Sequence, residues 1–327
     1  MRWLWVIPDV RSFPSGGNVY NEQLTRALSD LGEVVIVVSV PEWKRKVMQT
    51  EPDWLVVDAI HLPELQNVHL DVLLPVMTRA MVLVHHLSSL DTERVADREQ
   101  EQRTLSKFDA ILVTSPFTKA YLEPLLPGIP IWVLPPARSK HSKPADLIQT
   151  AWHPYLLMVA NLIPRKGILD YLKALATILP VLPFHLVIAG SPDLDADYAK
   201  QCHQFVKQQD QWMDRVHFTG AISHSEVLTW MEGAAMLISA SRMETYGMAI
   251  QEATQSGVPV MSVDGGHVKN LLSGYSSGRV VGDVQALAAA TKSWWSDERK
   301  LARQNSKDQV WTGWEDQAAQ LIEWAER

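Results

Sequence analysis

The chain has 327 residues, a net charge of −7 and a single cysteine, Cys202. Hydrophobic residues make up 46% of the sequence, enough to bury a sizeable core, which excludes a disordered chain, a collagen and a coiled coil. The negative charge argues against nucleic acid as a partner. One cysteine cannot form an internal disulfide or a thiolate zinc site, which fits a reducing compartment.

The amino terminus carries no recognisable targeting segment. Its apolar residues are few and are interrupted by Pro8 and Asp9, so we do not interpret them as a signal peptide. No apolar run approaches the length of about 18 residues that a membrane span needs. We therefore predict a soluble, cytoplasmic protein.

Up to Leu134, short β-branched runs alternate with longer helical stretches. The predicted strands are Trp3–Pro8, Val34–Val40, Trp54–Asp58, Met81–His85, Ala110–Thr114 and Ile131–Leu134. The predicted helices are Val19–Leu31, Asp91–Phe108 and Pro116–Leu125. Because the strands are apolar on both faces and helices separate them, the pattern predicts a parallel sheet covered on both sides.

A proline-rich, basic segment, Pro135–Pro154, interrupts the alternation and predicts an interdomain linker. The strands predicted after it are Tyr155–Ala160, His185–Ala189, Val216–Thr219, Met236–Ser239, Val260–Val263 and Gly278–Val281. The helices between them are predicted to begin near Gly167, Asp195, His224, Met248 and Val284. The fold class is therefore α/β, with two doubly wound domains, and we expect ligands beyond the carboxyl ends of the strands and in a cleft between the domains.

Two short matches to catalytic motifs do not have the required context. Gly274–Gly278 has the spelling Gly-x-Ser-x-Gly, but a helix precedes it and a strand follows, the reverse of a nucleophile elbow. The pair Asp195 and Asp197 lies where a helix is predicted to start, and acids there are expected from the helix dipole alone. The chain also has neither a Gly-x-Gly-x-x-Gly dinucleotide fingerprint after its first strand nor a Gly-Lys-Ser/Thr phosphate loop.

The most informative stretch is Ser241–Ala253, where a carboxylate-bearing loop leads into a helix that starts near Gly247. The unpaired amides of a helix start, together with its dipole, form an anion site suited to phosphate. Glu244 and Glu252 flank this site, and carboxylates accept hydrogen bonds from hydroxyls. A nucleotide sugar carries both groups. The alternatives are a helix-capping acid for Glu244 and a solvated helix face for Glu252.

This stretch resembles the signature of the retaining glycosyltransferases of family 4, which have the GT-B fold. That signature is Glu, seven residues and Glu, with an aromatic-Gly pair after the first Glu and Gly-x-Pro-Val after the helix. The matching residues are Glu244, Tyr246-Gly247, Glu252 and Gly257–Val260. The resemblance extends along most of the chain. Its other matching segments are Ser15–Asn18, Val84–His86, Ala160–Gly167, Leu186–Ser191, Val216–Gly220, Val263–Gly266, Gly282–Val284 and the helix around Trp314.

The resemblance implies two Rossmann-like domains that face each other across a cleft. Residues 1–145 would bind the acceptor, residues 146–310 would bind the nucleotide sugar, and residues 311–327 would return as a helix to the first domain. It also implies a metal-independent, retaining hexosyltransferase with no cofactor. The donor would be a UDP- or GDP-sugar, and the acceptor a glycan, a lipid-linked acceptor or a small molecule, in polysaccharide or glycoconjugate synthesis.

The resemblance assigns roles to single positions. Glu244 would bind the hydroxyls of the donor sugar, Glu252 those of the ribose, and Lys166 the diphosphate. His85 would lie close to the transferred sugar, and His86 is the alternative because the doublet leaves the register open. Backbone groups near Ala221 and Ile222, which follow a predicted strand, would contact the base. The other donor-binding positions are Gly16, Gly17, Asn161, Arg165, Gly190, Thr245, Tyr246, Gly247 and Met248.

Two positions depart from the family pattern. Asn161 stands where the family has an arginine, so the loop loses a charged donor, and Arg165 would either substitute for it or be solvated. Lys269 stands where the family usually has a glutamate, which we expect to alter the hydrogen bonds of the donor pocket.

Other functions fit the same residues less well. A sugar-nucleotide epimerase or a phosphorylase would share the fold, and a non-catalytic nucleotide-sugar-binding protein would explain Asn161. Trp43–Met48 is a basic segment with an aromatic residue, suited to a peripheral contact with an anionic membrane, but we favour an ordinary solvated helix face. The sequence does not indicate the oligomeric state.

Overall fold

The computed structural model describes residues 1–8, 15–91, 95–138, 152–296 and 312–327. These residues form two compact units. The amino-terminal unit comprises the described residues from 1 to 8, 16 to 138 and 312 to 327, and the carboxyl-terminal unit comprises residues 152–296. Most of the predicted linker and the expected boundary at residue 145 lie outside the described residues.

The amino-terminal unit is built on a parallel sheet with the strand order β2-β1-β3-β4-β5-β6. Its strands are β1 (Arg2–Val6), β2 (Val34–Val38), β3 (Trp54–Asp58), β4 (Arg79–Val84), β5 (Ala110–Val113) and β6 (Ile131–Val133). Its helices are α1 (Gly16–Asp30), α2 (Trp43–Thr50), α3 (Leu62–Leu65), α4 (Leu70–Leu73), α5 (Val95–Leu105) and α6 (Pro116–Leu122). β3, β4 and β5 are apolar and buried almost throughout, as strands covered on both faces require.

The carboxyl-terminal unit is built on a second six-stranded parallel sheet, with the strand order β12-β11-β10-β7-β8-β9. Its strands are β7 (Tyr155–Val159), β8 (His185–Ala189), β9 (Val216–Gly220), β10 (Met236–Ser239), β11 (Val260–Val263) and β12 (Gly278–Val281). Its helices are α7 (Ile168–Ile178), α8 (Ala196–Lys207), α9 (His224–Gly233), α10 (Met248–Gln255), α11 (Val268–Leu272) and α12 (Val284–Ser296). The order reverses at β7, which creates the switch point where such sheets bind ligands.

The last helix, α13 (Trp314–Ala325), belongs to the amino-terminal unit, as the expected return of the chain requires. Trp314 meets Tyr20 of α1 edge to face, with ring centroids 5.1 Å apart. At its other end, the Trp54 indole N–H donates to the carbonyl of Ala325 over 3.3 Å. An aromatic side chain with a satisfied polar end adds packing energy to this attachment.

The structure also shows the context of the two short matches to catalytic motifs. α11 precedes Gly274 and β12 begins at Gly278, so the Gly-x-Ser-x-Gly sequence is not a nucleophile elbow. The Asp195 carboxylate accepts from the backbone N–H of Tyr198 and thereby caps α8. Both aspartates of that segment have the helix-start position that the sequence indicated.

The basic segment at residues 43–48 forms α2, a helix that the sequence pattern only suggested. Trp43 and Val47 of this helix are buried in the core, while Lys44 and Met48 are exposed. The aromatic residue of the segment is therefore not available on the surface. In the part of the chain that the structure describes, no helix is both long and apolar enough to cross a membrane.

Candidate functional site

The candidate donor site lies at the carboxyl edge of the sheet in the carboxyl-terminal unit. Lys166 follows β7, and Glu244 lies in the loop after β10, the strand hydrogen-bonded to β7. The Lys166 Nζ and the Glu244 Oε1 are 2.6 Å apart, and only 19% and 14% of the two side chains are exposed. A cation and a carboxylate predicted from separate motifs therefore form one partly buried ion pair.

The charge state of Glu244 follows from its neighbours. Burial acts to raise the pKa of the Glu244 carboxyl, but the Lys166 ammonium and the Arg165 guanidinium outweigh it and hold the pKa below its ordinary value. Gly247, not Glu244, is the N-cap of α10, and no side chain caps that helix. The helix-capping alternative for Glu244 is therefore wrong.

The loop that carries Glu244 is held by the two glycines after β11. A Cβ on Gly265 would collide with the carbonyl of Arg242, and a Cβ on Gly266 would collide with that of Glu244. Next to them, the N–H of His267 donates to the Glu244 carbonyl over 2.8 Å. Only glycine fits so close an approach of two backbones, so the Gly-Gly pair fixes the height of Glu244 above the sheet.

The start of α10 lies beside this carboxylate. Gly247 has a φ of 99°, a left-handed conformation that favours glycine, and the helix begins at Met248. The first amides of a helix have no partner within it and favour anions. Tyr246 is buried and stacks on His267 with ring centroids 5.5 Å apart. Burial raises the pKa of the Tyr246 phenol and lowers that of His267, so both rings are uncharged at neutral pH.

Glu252 has a partner that the sequence did not indicate. The His224 Nε2, at the start of α9, lies 2.8 Å from the Glu252 Oε1. Only 12% of the Glu252 side chain is exposed, so the alternative of a solvated helix face is wrong. His224 lies two residues after Ile222, which together with Ala221 is expected near the base. The expected base-reading and ribose-binding segments are thus joined by one hydrogen bond.

Asn161 and Arg165 have different surroundings. The Asn161 Oδ1 accepts from the Ser191 N–H over 2.9 Å, which ties the loop after β7 to the loop after β8. The Arg165 Nη1 donates to the carbonyl of Met243 over 3.1 Å, beside Glu244. Arg165, rather than Asn161, thus brings a second positive charge to the Glu244 loop. The alternative of a merely solvated Arg165 is wrong.

Other predicted donor positions occupy the same edge. Ala221 is exposed and Ile222 half-buried after β9. A Cβ on Gly190, after β8, would collide with the carbonyl of Ala160, so Gly190 is required by the packing of two loops. Lys269 forms an exposed ion pair with Asp264, with the Nζ 2.6 Å from the Oδ2. The charge at the position where the family has glutamate is therefore already neutralised.

Four predicted residues, Gly16, Gly17, His85 and His86, belong to the amino-terminal unit. Gly16 and Gly17 form the first turn of α1, so they start the helix instead of forming the expected loop before it. A Cβ on Gly17 would lie 3.1 Å from the Cδ2 of His85. His86 instead pairs with Asp91, with the Nε2 2.7 Å from the Oδ2. The structure therefore brings His85, and not His86, to the glycines.

Sequence reasoning missed the residues that hold His85. These are Asn21 on α1 and Asp58 at the end of β3, both buried. A buried carboxylate at a strand end was the available signal for Asp58, but nothing in the sequence linked it to His85. No group of three or more His, Cys, Asp or Glu side chains suited to a metal ion occurs among the residues that the structure describes.

The fold is a two-unit α/β fold with a candidate anion and hydroxyl site at one sheet edge, and comparison with known proteins names the family. The model of the glycosyl transferases group 1 family matches residues 146–310, which is about half of the chain. The chain belongs to this family.

Two curated relatives are similar over part of their length. Alpha-monoglucosyldiacylglycerol synthase of Streptococcus pneumoniae is 32% identical over 136 residues, which are 41% of this chain and 30% of that protein. The lipopolysaccharide core biosynthesis mannosyltransferase LpsB of Rhizobium meliloti is 24% identical over 210 residues, 61% of this chain and 58% of that protein. The chain thus spans less than two thirds of the relatives it matches.

A solved structure matches the whole chain. HepE of Anabaena, in complex with UDP and glucose, has a TM-score of 0.77 and 17% sequence identity, over 100% of this chain and 99% of that chain. At this identity the match shows the fold, and the expected GT-B fold is confirmed.

Proposed function

We propose that the chain is a retaining glycosyltransferase that moves a hexose from a nucleoside diphosphate sugar to an acceptor hydroxyl. One observation carries the proposal: the Lys166–Glu244 pair lies partly buried at the carboxyl edge of the sheet, beside the start of α10. A diphosphate needs a cation, and a sugar needs a hydroxyl acceptor. This pair supplies both at one place, where phosphate also finds a helix start.

The donor roles follow from the contacts. A diphosphate that binds to Lys166 would displace the carboxylate from the ammonium, and Glu244 would then accept hydrogen bonds from the sugar hydroxyls. Arg165, held beside Glu244 by its bond to Met243, would add positive charge where the family arginine is replaced by Asn161. Glu252, oriented by His224, would accept from the ribose hydroxyls. Ala221 and Ile222 would contact the base.

The reaction needs no covalent intermediate on the protein. The bond between the anomeric carbon and the diphosphate oxygen breaks while the acceptor oxygen bonds to the same face of that carbon. The acceptor proton passes to the departing phosphate oxygen. Lys166, Arg165 and the amides around Gly247 would stabilise the growing negative charge, and such fixed donors are typically the largest part of catalysis.

The proposed acceptor class rests on the two curated relatives. The names of the two relatives describe sugar transfer in glycolipid and lipopolysaccharide synthesis. We propose a glycan or lipid-linked acceptor and a role in polysaccharide or glycoconjugate synthesis. The donor is a UDP- or GDP-sugar, and UDP is the nucleotide in the HepE complex. Protein cations would take the place of a metal ion, and the protein would act in the cytoplasm.

The test is turnover of UDP- and GDP-hexoses by the full chain in EDTA, with a panel of glycan and lipid-linked acceptors. We expect release of one nucleoside diphosphate, and NMR of the product should show the anomeric configuration of the donor. An inverted product would contradict the retaining mechanism, and dependence on an added metal would contradict metal independence. Binding without turnover of any donor would favour a non-catalytic nucleotide-sugar-binding protein.

A further inference from the structure

A chain of buried polar groups leads to His85 in the amino-terminal unit. The His85 Nε2 lies 2.9 Å from the Asn21 Oδ1, and the Asn21 Nδ2 lies 2.7 Å from the Asp58 Oδ2. Asn21 and Asp58 are almost fully buried, with exposed fractions of 0% and 4%. Burying a polar group costs free energy unless the group is hydrogen-bonded. This chain of hydrogen bonds therefore holds its side chains in one arrangement.

Asp58 determines which groups donate and which accept in this chain of hydrogen bonds. As a carboxylate it can only accept hydrogen bonds, and its Oδ1 already accepts from the Ile60 N–H over 3.0 Å. Its Oδ2 therefore takes a proton of the Asn21 amide. The opposite orientation of Asn21 would place two oxygens against each other in the protein interior.

The orientation of Asn21 in turn determines the protonation of His85. With its amide nitrogen turned to Asp58, Asn21 presents only its oxygen to the imidazole. An oxygen acceptor requires the His85 Nε2 to carry a proton. Burial lowers the pKa of His85, against the opposing effect of the Asp58 charge, so the ring is neutral at neutral pH. The neutral tautomer is thus the one with its proton on Nε2.

Two further contacts hold the plane of the ring. Tyr20 meets His85 edge to face, with ring centroids 5.0 Å apart. Gly17 lies against the Cδ2 edge, where a larger residue would push the ring away. Groups on β3 and on the first two turns of α1 therefore converge on one imidazole.

We propose that Asn21 and Asp58 are positioning residues that hold His85 as a neutral ring of one tautomer during the proposed glycosyl transfer. This inference rests on the proposed glycosyl transfer. In that reaction positive charge develops on the sugar as the diphosphate departs. A neutral imidazole does not repel that charge, whereas an imidazolium would. Neither Asn21 nor Asp58 need touch the substrate to act in this way.

The tautomer can be read without any substrate. Long-range ¹H–¹⁵N NMR of the full chain reports which ring nitrogen carries the proton, and a His85→Gln variant identifies the signal. We expect Nε2–H in the wild type. In Asp58→Asn, the single amide oxygen serves the Ile60 N–H and the NH₂ group faces Asn21. Asn21 should then reverse, and His85 should change to Nδ1–H. A wild-type ring protonated on Nδ1, or an unchanged tautomer in Asp58→Asn, would overturn the proposal.

Kinetics then test the link to catalysis. We expect kcat of Asp58→Asn to fall about tenfold or more, as for other misplaced catalytic groups. KM for the nucleotide sugar should stay constant, because the phosphate-binding side chains Lys166 and Arg165 belong to the other unit. Asp91→Asn is the matched control, since it removes the carboxylate partner of His86 instead. Equal losses of kcat in both variants would contradict the assignment.

Two further results keep the outcomes distinct. Should Asp58→Asn fail to fold, Asn21→Ala interrupts the same chain and should give a mixture of His85 tautomers with a lower kcat. A wild-type protein that turns over no nucleotide sugar, yet shows the expected tautomers, would contradict the proposed function while leaving the hydrogen-bond chain intact.

Discussion

Lys166 and Glu244 illustrate how a proposed ligand-binding pair can be stable without a ligand. Each would be costly to bury alone, and their mutual contact at 2.6 Å offsets part of that cost. A diphosphate and a sugar hydroxyl offer each side chain a replacement partner. Binding therefore exchanges one set of partners for another instead of creating charges in an apolar place.

Gly190 shows that a predicted ligand-binding glycine can have a packing role. We expect Gly190→Ala to lower the free energy of unfolding strongly, by about 2–4 kcal/mol, since the new methyl group would overlap the Ala160 carbonyl. Urea unfolding measures the change. Gly282→Ala is the control, because nothing lies within 4 Å of a Cβ there. Equal stability of both variants would refute the packing argument.

At the scale of single elements, α9 and α10 are joined by the His224–Glu252 hydrogen bond. We expect His224→Ala to weaken nucleoside diphosphate binding about tenfold, because Glu252 would lose the partner that orients it. Calorimetric titration of UDP and GDP measures the affinity. Glu226→Ala is the control, since it removes the capping box of the same helix without contacting Glu252. A similar loss in both variants would assign the effect to the start of α9 alone.

Helix α13 stabilises the unit to which it returns. Leu321 is fully buried in this helix, whereas Gln320 beside it is exposed. We expect Leu321→Ala to cost about 2–4 kcal/mol of unfolding free energy, because it leaves a cavity under the helix. Gln320→Ala should change it by less than about 0.5 kcal/mol. Chemical denaturation compares the two, and an equal effect would mean that α13 contributes little.

The element boundaries show what the sequence could predict. Five strands, Trp54–Asp58, His185–Ala189, Met236–Ser239, Val260–Val263 and Gly278–Val281, have the bounds that the sequence pattern predicted. The start of α1 was missed because Gly16 and Gly17 are poor helix formers that tertiary contacts nonetheless hold in a first turn. The four-residue helices α3 and α4 are too short to show a period.

The candidate site was predictable to a different degree. Glu244, Lys166 and Glu252 could be proposed as site residues because each lies in a local motif. Their partners could not be, because a contact such as His224 with Glu252, or Asn21 with Asp58, depends on how a helix is turned against its sheet. The packing of many residues at once sets that rotation, and the spacing of residues in the sequence does not predict it.

At the scale of the whole molecule, we expect mildly acidic pH to lower the stability of the protein. The pKa values of five histidines, His85, His185, His203, His217 and His267, lie below the ordinary 6.5, with burial the largest cause at each. The unfolded chain therefore binds more protons than the folded one below pH 6.5. Stability is complete above this pH and is lost as the pH falls through the lower folded values.

Scanning calorimetry from pH 8 to pH 4 checks this expectation. We expect Tm to be constant above the histidine range and to fall below it. A second decline should follow as the pH drops below 4.5, the ordinary pKa of Glu244, since the folded protein holds this carboxyl ionised. His267→Gln should reduce the first decline and Glu244→Gln the second. A constant Tm down to pH 5 would contradict the burial of neutral imidazoles.

The central claim is that a nucleoside diphosphate sugar binds at the Lys166–Glu244 edge of the carboxyl-terminal sheet. The most direct measurement is calorimetric titration of UDP, GDP and their hexose conjugates into the wild type, Lys166→Ala and Lys119→Ala. Lys119 is the control because its pair with Glu123 is exposed on the other unit. We predict that one nucleotide binds the wild type and Lys119→Ala equally and Lys166→Ala at least tenfold more weakly. Binding that is the same in all three proteins, or absent in all, would contradict the account.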